Sequence, residues 1–217
     1  MYTGNVEVGG PADVHELPRL IVSKLAVGPY NNNAYVLRCR ESGRQVLIDA
    51  AAEPDRLMDL IGPSGIDMVI TTHAHKDHWQ ALADIVGRTG APTAAGVLDA
   101  PEIPIPTAIG VEDGQRLTFG DITLEAITLT GHTAGSIALL YDDPEGPPHL
   151  FTGDCLFPGG VGNTWGDPER FAALFTGVVT RIFERLPDET WVYPGHGHDT
   201  TLGAERPHLD EWRDRGW

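Results

Sequence analysis

The sequence predicts an α+β fold in which sheets pack together and helices lie outside. Three observations point there. Short runs rich in β-branched and aromatic residues recur along the chain, each bounded by Gly, Pro, Asn or Ser, as strands between turns are. These runs fall into two strand-rich halves, each followed by helical sequence, the pattern of packed sheets covered by helices. A chain of 217 residues with 41 % hydrophobic content can bury a substantial core.

The first eighteen residues, rich in Gly, Pro and polar side chains, read as an arm, and residues 19–217 as one domain. Strands are expected at LIVSKLAV from Leu20, NAYVLRC from Asn33 and QVLIDA from Gln45. Pro54 to Leu60 reads as a short helix and Asp67 to Thr72 as a buried strand. Trp79 to Arg88 carries Leu82, Ile85 and Val86 at helical spacing. Gln115 to Thr130 contains two runs broken by Gly120-Asp121, a hairpin signal. Ser136 to Tyr141 and His149 to Phe157 follow as strands, separated by the turn-forming DDPEGPP. Asp167-Pro168 opens a helix running to about Leu186, with Pro at its first position. Glu189 to Tyr193 is a last strand, and Thr201 to Trp217 a short terminal helix.

The formal net charge of −16 sets the class of partner. Nucleic acid and anionic membrane surfaces select for basic patches, so neither is expected, and a small-molecule substrate is. Cys39 and Cys155 are the only cysteines and make no disulfide framework, which points to a reducing cytoplasm. The N-terminal stretch has no basic start and no apolar run, so it does not read as a signal peptide. No stretch reaches the apolar length that crosses a bilayer.

The chemistry concentrates in His73-Ala-His75-Lys-Asp77-His78, directly after a buried strand. Alternate residues of an extended backbone point the same way, so His73 and His75 can converge on one ion. The chain then turns, and Asp77 with His78 can face a second ion nearby. Imidazole nitrogen and carboxylate oxygen suit zinc and similar cations, and the same set can hold iron or manganese. Gly131-His132-Thr133, Gly153-Asp154-Cys155 and Pro194-Gly195-His196-Gly197 each stand at a strand end or in a glycine-flanked turn. Together they supply what the first motif lacks. His73, His75 and His132 are expected on one divalent metal; Asp77, His78 and His196 on the other; and Asp154 between the two. Asp77 and Asp154 are the candidate catalytic carboxylates.

THAHKDH, GHTAGS, GDCLF and PGHG, in this order and spacing, resemble the metallo-β-lactamase fold superfamily. Within it they are most similar to the glyoxalase II-like hydrolases, which cleave thioesters. The resemblance runs from about Leu20 to the C-terminus. It implies a four-layer αββα sandwich with the metal site at the edge where the sheets meet, and the same seven ligands. Two cations lower the pKa of a shared water, giving hydroxide near neutral pH that attacks a carbonyl carbon while one metal stabilises the oxyanion. A thioester suits such a site because its thiolate leaves without strong acid assistance.

The runner-up is a persulfide dioxygenase-like enzyme, a group that resembles this chain at His73, His132 and Asp154 but uses one iron to activate oxygen. Lactone or β-lactam hydrolysis uses the same attack as the thioester reading. A metal-binding module without turnover is disfavoured by the complete ligand set. Full-length glyoxalase II adds a C-terminal helical domain that helps hold glutathione, whereas this sequence ends soon after His196. The loop from Phe157 to Asp167 is expected to line the substrate pocket, and it contains no Lys or Arg to pair with the carboxylates of glutathione. The expected carrier is therefore a less anionic thiol, a sugar-based one for example, with Asn163 and Trp165 as substrate contacts. Asp49 reads equally as a turn residue and as the partner of a ligand histidine. Trp79 is expected to pack into the core rather than narrow the pocket. Strand alternation turns Cys155 away from the metals. Lys76, His15, His149, His198 and His208 are expected at the surface.

Overall fold

In the computed structural model, strand pairing gathers the chain into two main sheets. Residues 2–216 are described. Met1 and Trp217, the outer ends of the expected arm and terminal helix, lie outside the described residues. The first sheet follows chain order: β1 (Asp13–Glu16), β2 (Leu20–Val27), β3 (Asn32–Cys39), β4 (Gln45–Ile48), β5 (Val69–Thr71), β6 (Thr93–Gly96) and β7 (Ile109–Val111). Neighbours from β1 to β4 are antiparallel, and from β4 to β7 parallel. Parallel neighbours need crossovers, and α1 (Pro54–Ile61) and α2 (Leu82–Thr89) supply the first two.

The second sheet is built from β8 (Arg116–Phe119), β9 (Ile122–Thr128), β10 (Ile137–Tyr141) and β11 (His149–Gly153). A two-stranded ribbon of β12 (Leu156–Phe157) and β13 (Gly160–Val161) follows, then α3 (Pro168–Val178), which continues as a π-helical turn to Phe183. β14 (Trp191–Pro194) returns parallel to β11, and β15 (Thr200–Thr201) closes the edge. The chain finishes through α4 (Leu202–Glu205) and α5 (Leu209–Arg215).

Strand parity sorts the apolar residues into three buried zones. Leu20, Val22, Tyr35 and Leu37 face Leu124, Leu139, Phe151 and Tyr193 between the sheets. The opposite parity of the first sheet, Leu25, Val36 and Leu47, packs under Leu57, Ile61, Leu82 and Ile85 of α1 and α2. Ile127, Leu140, Leu150 and Val192 of the second sheet pack under Leu174 and Val178 of α3 and Trp212 of α5. Three zones between four layers make the expected αββα sandwich. Each such side chain contributes about 1.5–3 kcal/mol on burial, against about 0–1 kcal/mol for a surface ion pair, so these zones carry the stability.

The structure departs from the sequence reading in four places. Asp13–Glu16, expected within an arm, is an edge strand paired with β2. β6, made of small residues, and β7, only three residues long with Gly at its centre, have too little alternation to announce a strand. The expected strand from His149 to Phe157 breaks at Asp154 and Cys155, between β11 and β12. His149 is buried rather than at the surface, because it shares inner parity with Phe151; half-buried His15 likewise faces inward on β1, and both rings meet the Tyr193 hydroxyl, at 2.9 and 2.8 Å. Lys76, His198 and His208 are exposed, as expected.

Candidate metal centre

All seven predicted ligands come together at one end of the sandwich, on the loops that leave its strands. His73 and His75 follow β5, and a single 3₁₀ turn over Lys76–His78 swings Asp77 and His78 back toward them. His132 lies in the loop between β9 and β10, Asp154 in the turn after β11, and His196 just beyond β14. Three groups have ligand atoms within 4.8 Å of one another: His73, His75 and His132; His73, His78 and Asp154; and Asp77, His78 and His196.

Asp154 joins the groups. Its Oδ2 lies 3.6 Å from His132 Nε2 and 3.4 Å from His196 Nε2, while Oδ1 lies 3.4 Å from His78 Nε2. Asp77 Oδ2 stands 3.4 Å from His196 Nε2 and 3.6 Å from His78 Nε2. His73 Nε2 faces His75 Nδ1 at 3.0 Å, and His78 Nε2 faces His196 Nε2 at 3.2 Å.

The outer partners of the rings fix which nitrogen turns inward. His132 Nδ1 donates to the Asn163 carbonyl at 2.9 Å, and His196 Nδ1 to the Tyr30 carbonyl at 2.9 Å. His78 Nδ1 is 2.7 Å from Asp49 Oδ2. Thr72 Oγ1 donates to Asp49 at 2.8 Å, which leaves it to accept from His73 Nδ1 at 3.1 Å. Four imidazoles thus commit one N–H outward and aim Nε2 at the cluster, the arrangement that metal-binding histidines require. His132 Nε2 and Asp154 Oδ1 are buried without a hydrogen-bond partner, so the donor set fits a pair of cations.

Electrostatics divide the histidines. Burial would lower His78 and His196, but Asp154 with Asp49 and Asp77 outweighs it and raises both, so each keeps a proton that a cation would have to displace. Burial pushes His73 well below the ordinary histidine range and lowers His75 and His132, leaving them neutral with lone pairs to offer. Burial alone would raise the Asp154 carboxyl, but His78 and His196 outweigh it and hold it well below the carboxylate range. Asp77 is held low in the same way by hydrogen bonds from His196 and Asn32 against its burial.

The closeness of the loops depends on glycine. A Cβ at Gly195 would lie 2.2 Å from Asp154 Oδ1, and one at Gly162 would lie 1.8 Å from the Asp154 carbonyl oxygen.

Residues beyond the predicted ligand set hold it together. Asp49 accepts from Thr72 N as well as meeting His78, so it is the partner of a candidate ligand histidine and not only a turn residue. Asp99, fully buried, accepts from Ala74 N at 2.9 Å, Thr133 Oγ1 at 2.6 Å and Gly135 N at 2.5 Å, clamping the His73–His75 loop to the His132 loop. Asn32 Nδ2 donates to Asp77 Oδ2 at 2.9 Å. Sequence reasoning missed Asp99 and Asn32. A partial signal for Asn32 was its place at the strand start before an extended apolar run; Asp99 had none, since its partners are distant in sequence. Trp79 packs against the outer apolar zone and donates Nε1 to the Ala74 carbonyl, and Cys155 is buried under α3, both as expected.

A cleft of about 630 Å³ opens beside His75 and His132, lined also by Thr130, Glu102, Glu169 and Arg170. The loop from Phe157 to Asp167, expected to line the pocket, contributes none of the described residues that line this cleft. Its Trp165 ring instead packs on two histidines of the rim, centred 5.3 Å from the His132 ring and 5.4 Å from that of His75. Asn163 Oδ1 accepts from Trp165 N at 2.7 Å, which holds Trp165 in a left-handed conformation at φ 55°. The Arg170 guanidinium is already engaged: it donates to the Gly131 and His132 carbonyls and lies 4.5 Å from the Trp165 ring centre. Glu102 and Glu169 form no ion pair among the described residues. On the other side of the cluster a second cleft of about 410 Å³ is lined by Tyr30, Lys76, Asp77 and Gln80.

Comparison with known proteins gives a consistent picture. Residues 27–196 match the Metallo-beta-lactamase superfamily. A hydroxyacylglutathione hydrolase of Polaromonas sp. is 32% identical over 82% of this chain and 67% of its own length. The chain thus spans about two thirds of that relative. A probable polyketide biosynthesis zinc-dependent hydrolase, BaeB of Bacillus velezensis, is 28% identical over 83% of this chain and 79% of its own. Among solved structures, a protein crystallised in a di-iron-bound form is 35% identical with a TM-score of 0.70, over 84% of this chain and 96% of that one.

Proposed function

The chain belongs to the metallo-beta-lactamase superfamily, and on that footing we propose that this metal-dependent hydrolase cleaves the thioester of a small thiol carrier. The observation that carries the reading is Asp154, whose two oxygens reach histidines of both ligand groups and so bind the seven residues into one dinuclear set. The likeness to a hydroxyacylglutathione hydrolase supports the thioester class.

In this reading His73, His75 and His132 would hold one cation, Asp77, His78 and His196 the other, and Asp154, which reaches histidines of both groups, would serve both. Divalent cations in that set supply a more acidic water and a Lewis acid for the acyl carbonyl. Zinc is the proposed metal, with iron or manganese able to replace it in the same donors. The chain's own residues do the rest. The imidazoles present lone pairs, His78 and His196 once their protons are displaced. Asp49 and the carbonyls of Asn163 and Tyr30 orient them, and the Trp165 ring packs against His75 and His132 of the first group. No acidic side chain has to protonate the leaving group, because a thiolate departs unassisted.

The proposed carrier is less anionic than glutathione. Glu102 and Glu169 on the cleft would repel the carboxylates of glutathione, while Arg170, the one Lys or Arg among the described residues that line it, already serves two carbonyls and Trp165. Asn163 and Trp165 are the proposed substrate contacts. A cytoplasmic setting is proposed from the two free, buried cysteines.

The test is an assay of purified protein, with metal content recorded, against thioesters of different thiols, following free thiol. Chelator-sensitive turnover with neutral thiols preferred over glutathione is expected. A chain holding one iron and inert on every thioester would overturn the reading.

A further inference from the structure

Lys24 is one of two lysines in the chain and lies wholly inside it. Its position on β2 has the inner parity of Leu20 and Val22, so its side chain enters the space between the sheets. There the ammonium donates three times: to the Gly4 carbonyl at 2.7 Å, to the Gly197 carbonyl at 2.7 Å and to Asp199 Oδ1 at 2.6 Å. All three of its protons are used, which a buried ammonium requires. Asp199 Oδ2 accepts in turn from Tyr2 Oη at 2.5 Å and Trp191 Nε1 at 2.9 Å. Gly4 is pressed onto this carboxylate so closely that a Cβ there would lie 2.8 Å from Asp199 Cβ.

The oxygens that Lys24 holds flank a ligand. Gly197 follows His196 directly, and Asp199 is three residues on. Carbonyls of the same short loop accept from the first sheet as well. Pro194 O takes Asn33 Nδ2 at 2.9 Å and Tyr35 Oη at 2.6 Å, Gly195 O takes Asn33 N at 2.7 Å, and Gly197 O takes Asn33 Nδ2 at 3.0 Å. Asn33 reaches both sides of His196, while Lys24 ties the loop to the first sheet and to the N-terminal segment at once, beside the direct bond from Tyr2 to Asp199. His196 is the one member of its group that comes from the second sheet, since Asp77 and His78 leave β5 of the first. The second ligand group therefore closes only if this loop is fastened across the two sheets.

We propose that Lys24 is a positioning residue for His196, and that together with Asp199 and the docked segment at Gly4 it forms a latch that sets the affinity of the second metal position. The inference rests on the reading that the seven residues hold two cations. It concerns no contact with substrate. It assigns to a charged pair remote from the cleft a selective effect on one of two metal positions.

The experiment is a titration of metal-free protein with cobalt(II), followed by its visible absorption and by metal analysis. Wild type is compared with Lys24→Met/Asp199→Asn, which removes both members of the pair and so leaves no isolated buried charge. Leu117→Ala, in the inter-sheet core, serves as a control for lost stability alone. The latch variant is expected to take up the first ion as wild type does and to bind the second about tenfold or more weakly, the range seen when an outer partner of a metal ligand is lost. Lys24→Gln, which keeps a neutral donor, is read in the same way if the double variant does not fold. Two ions bound by the latch variants as tightly as by wild type, or both positions weakened alike as in the control, would overturn the proposal. Wild type that binds no cobalt would overturn the metal-centre reading beneath it.

Discussion

Asp49 meets three donors with one carboxylate. Oδ1 accepts from Thr72 N, and Oδ2 takes Thr72 Oγ1 and faces His78 Nδ1. Through Thr72 it also reaches His73, so it orients one proposed ligand of each group. Its backbone lies at φ 57°, a left-handed conformation that Asp and Asn tolerate better than most residues. Asp49→Asn therefore keeps the backbone and replaces an acceptor oxygen by a donor. Metal affinity is expected to fall about 10- to 100-fold, with little change in apo-protein stability relative to that loss. Competition with a chromophoric chelator measures it; an unchanged affinity would mean that Asp49 does not orient His78.

Elements impose parity on their residues, and β11 shows the consequence. His149 opens it on the inner face beside Phe151, with Nδ1 against the Tyr193 hydroxyl and Nε2 unpartnered. Burial, assisted by His15, pushes its pKa down to about 4 from an ordinary 6.5. The folded state thus binds the proton less readily than the unfolded state. Its stability contribution is complete above the unfolded value and declines as pH falls from about 6.5 toward about 4. Between pH 7 and pH 5 this one group costs about 2 kcal/mol of stability. His149→Gln should flatten that part of the profile, so that its denaturation midpoint shifts less than that of wild type between the two pH values. An identical shift in both proteins would assign the acid sensitivity to other groups.

For the whole molecule, the candidate metal centre lies where the two sheets meet, with proposed ligands from both. His73, His75, Asp77 and His78 leave the first sheet, while His132, Asp154 and His196 leave the second. Cations bound there link the two halves and offset part of the net charge of −16. They bind the folded state and not the dispersed chain, so they stabilise it by mass action. Metal present at a thousand times its dissociation constant contributes about 4 kcal/mol, or roughly 10 °C in melting temperature for a domain of this size. Stripping the protein with chelator should lower the melting temperature by that order, and adding back zinc should restore it. A melting curve that ignores both treatments would show that the cluster does not tie the sheets together through metal.

Local chemistry made much of this readable in one dimension. The strand at Leu20–Val27 and the helix at Pro54–Ile61 follow from side-chain shape, periodicity and proline, which act between near neighbours. The ligand types were legible too, because strand ends and glycine turns are where a fold can expose several donors at once. The short strands β6 and β7 were not, since the small residues of the one and the three-residue Ile-Gly-Val of the other become strand only when a partner is beside them. Nor were the inward face of His149, the clamp at Asp99 and the latch at Lys24. Asp99 meets Gly135 and Lys24 meets Asp199 across 36 and 175 residues of chain. By itself, the sequence determined which donors the chain possesses and the elements that deliver them. Only the tertiary structure decided which polar groups are buried together, because desolvation and hydrogen-bond pairing depend on distances in space that sequence separation does not record.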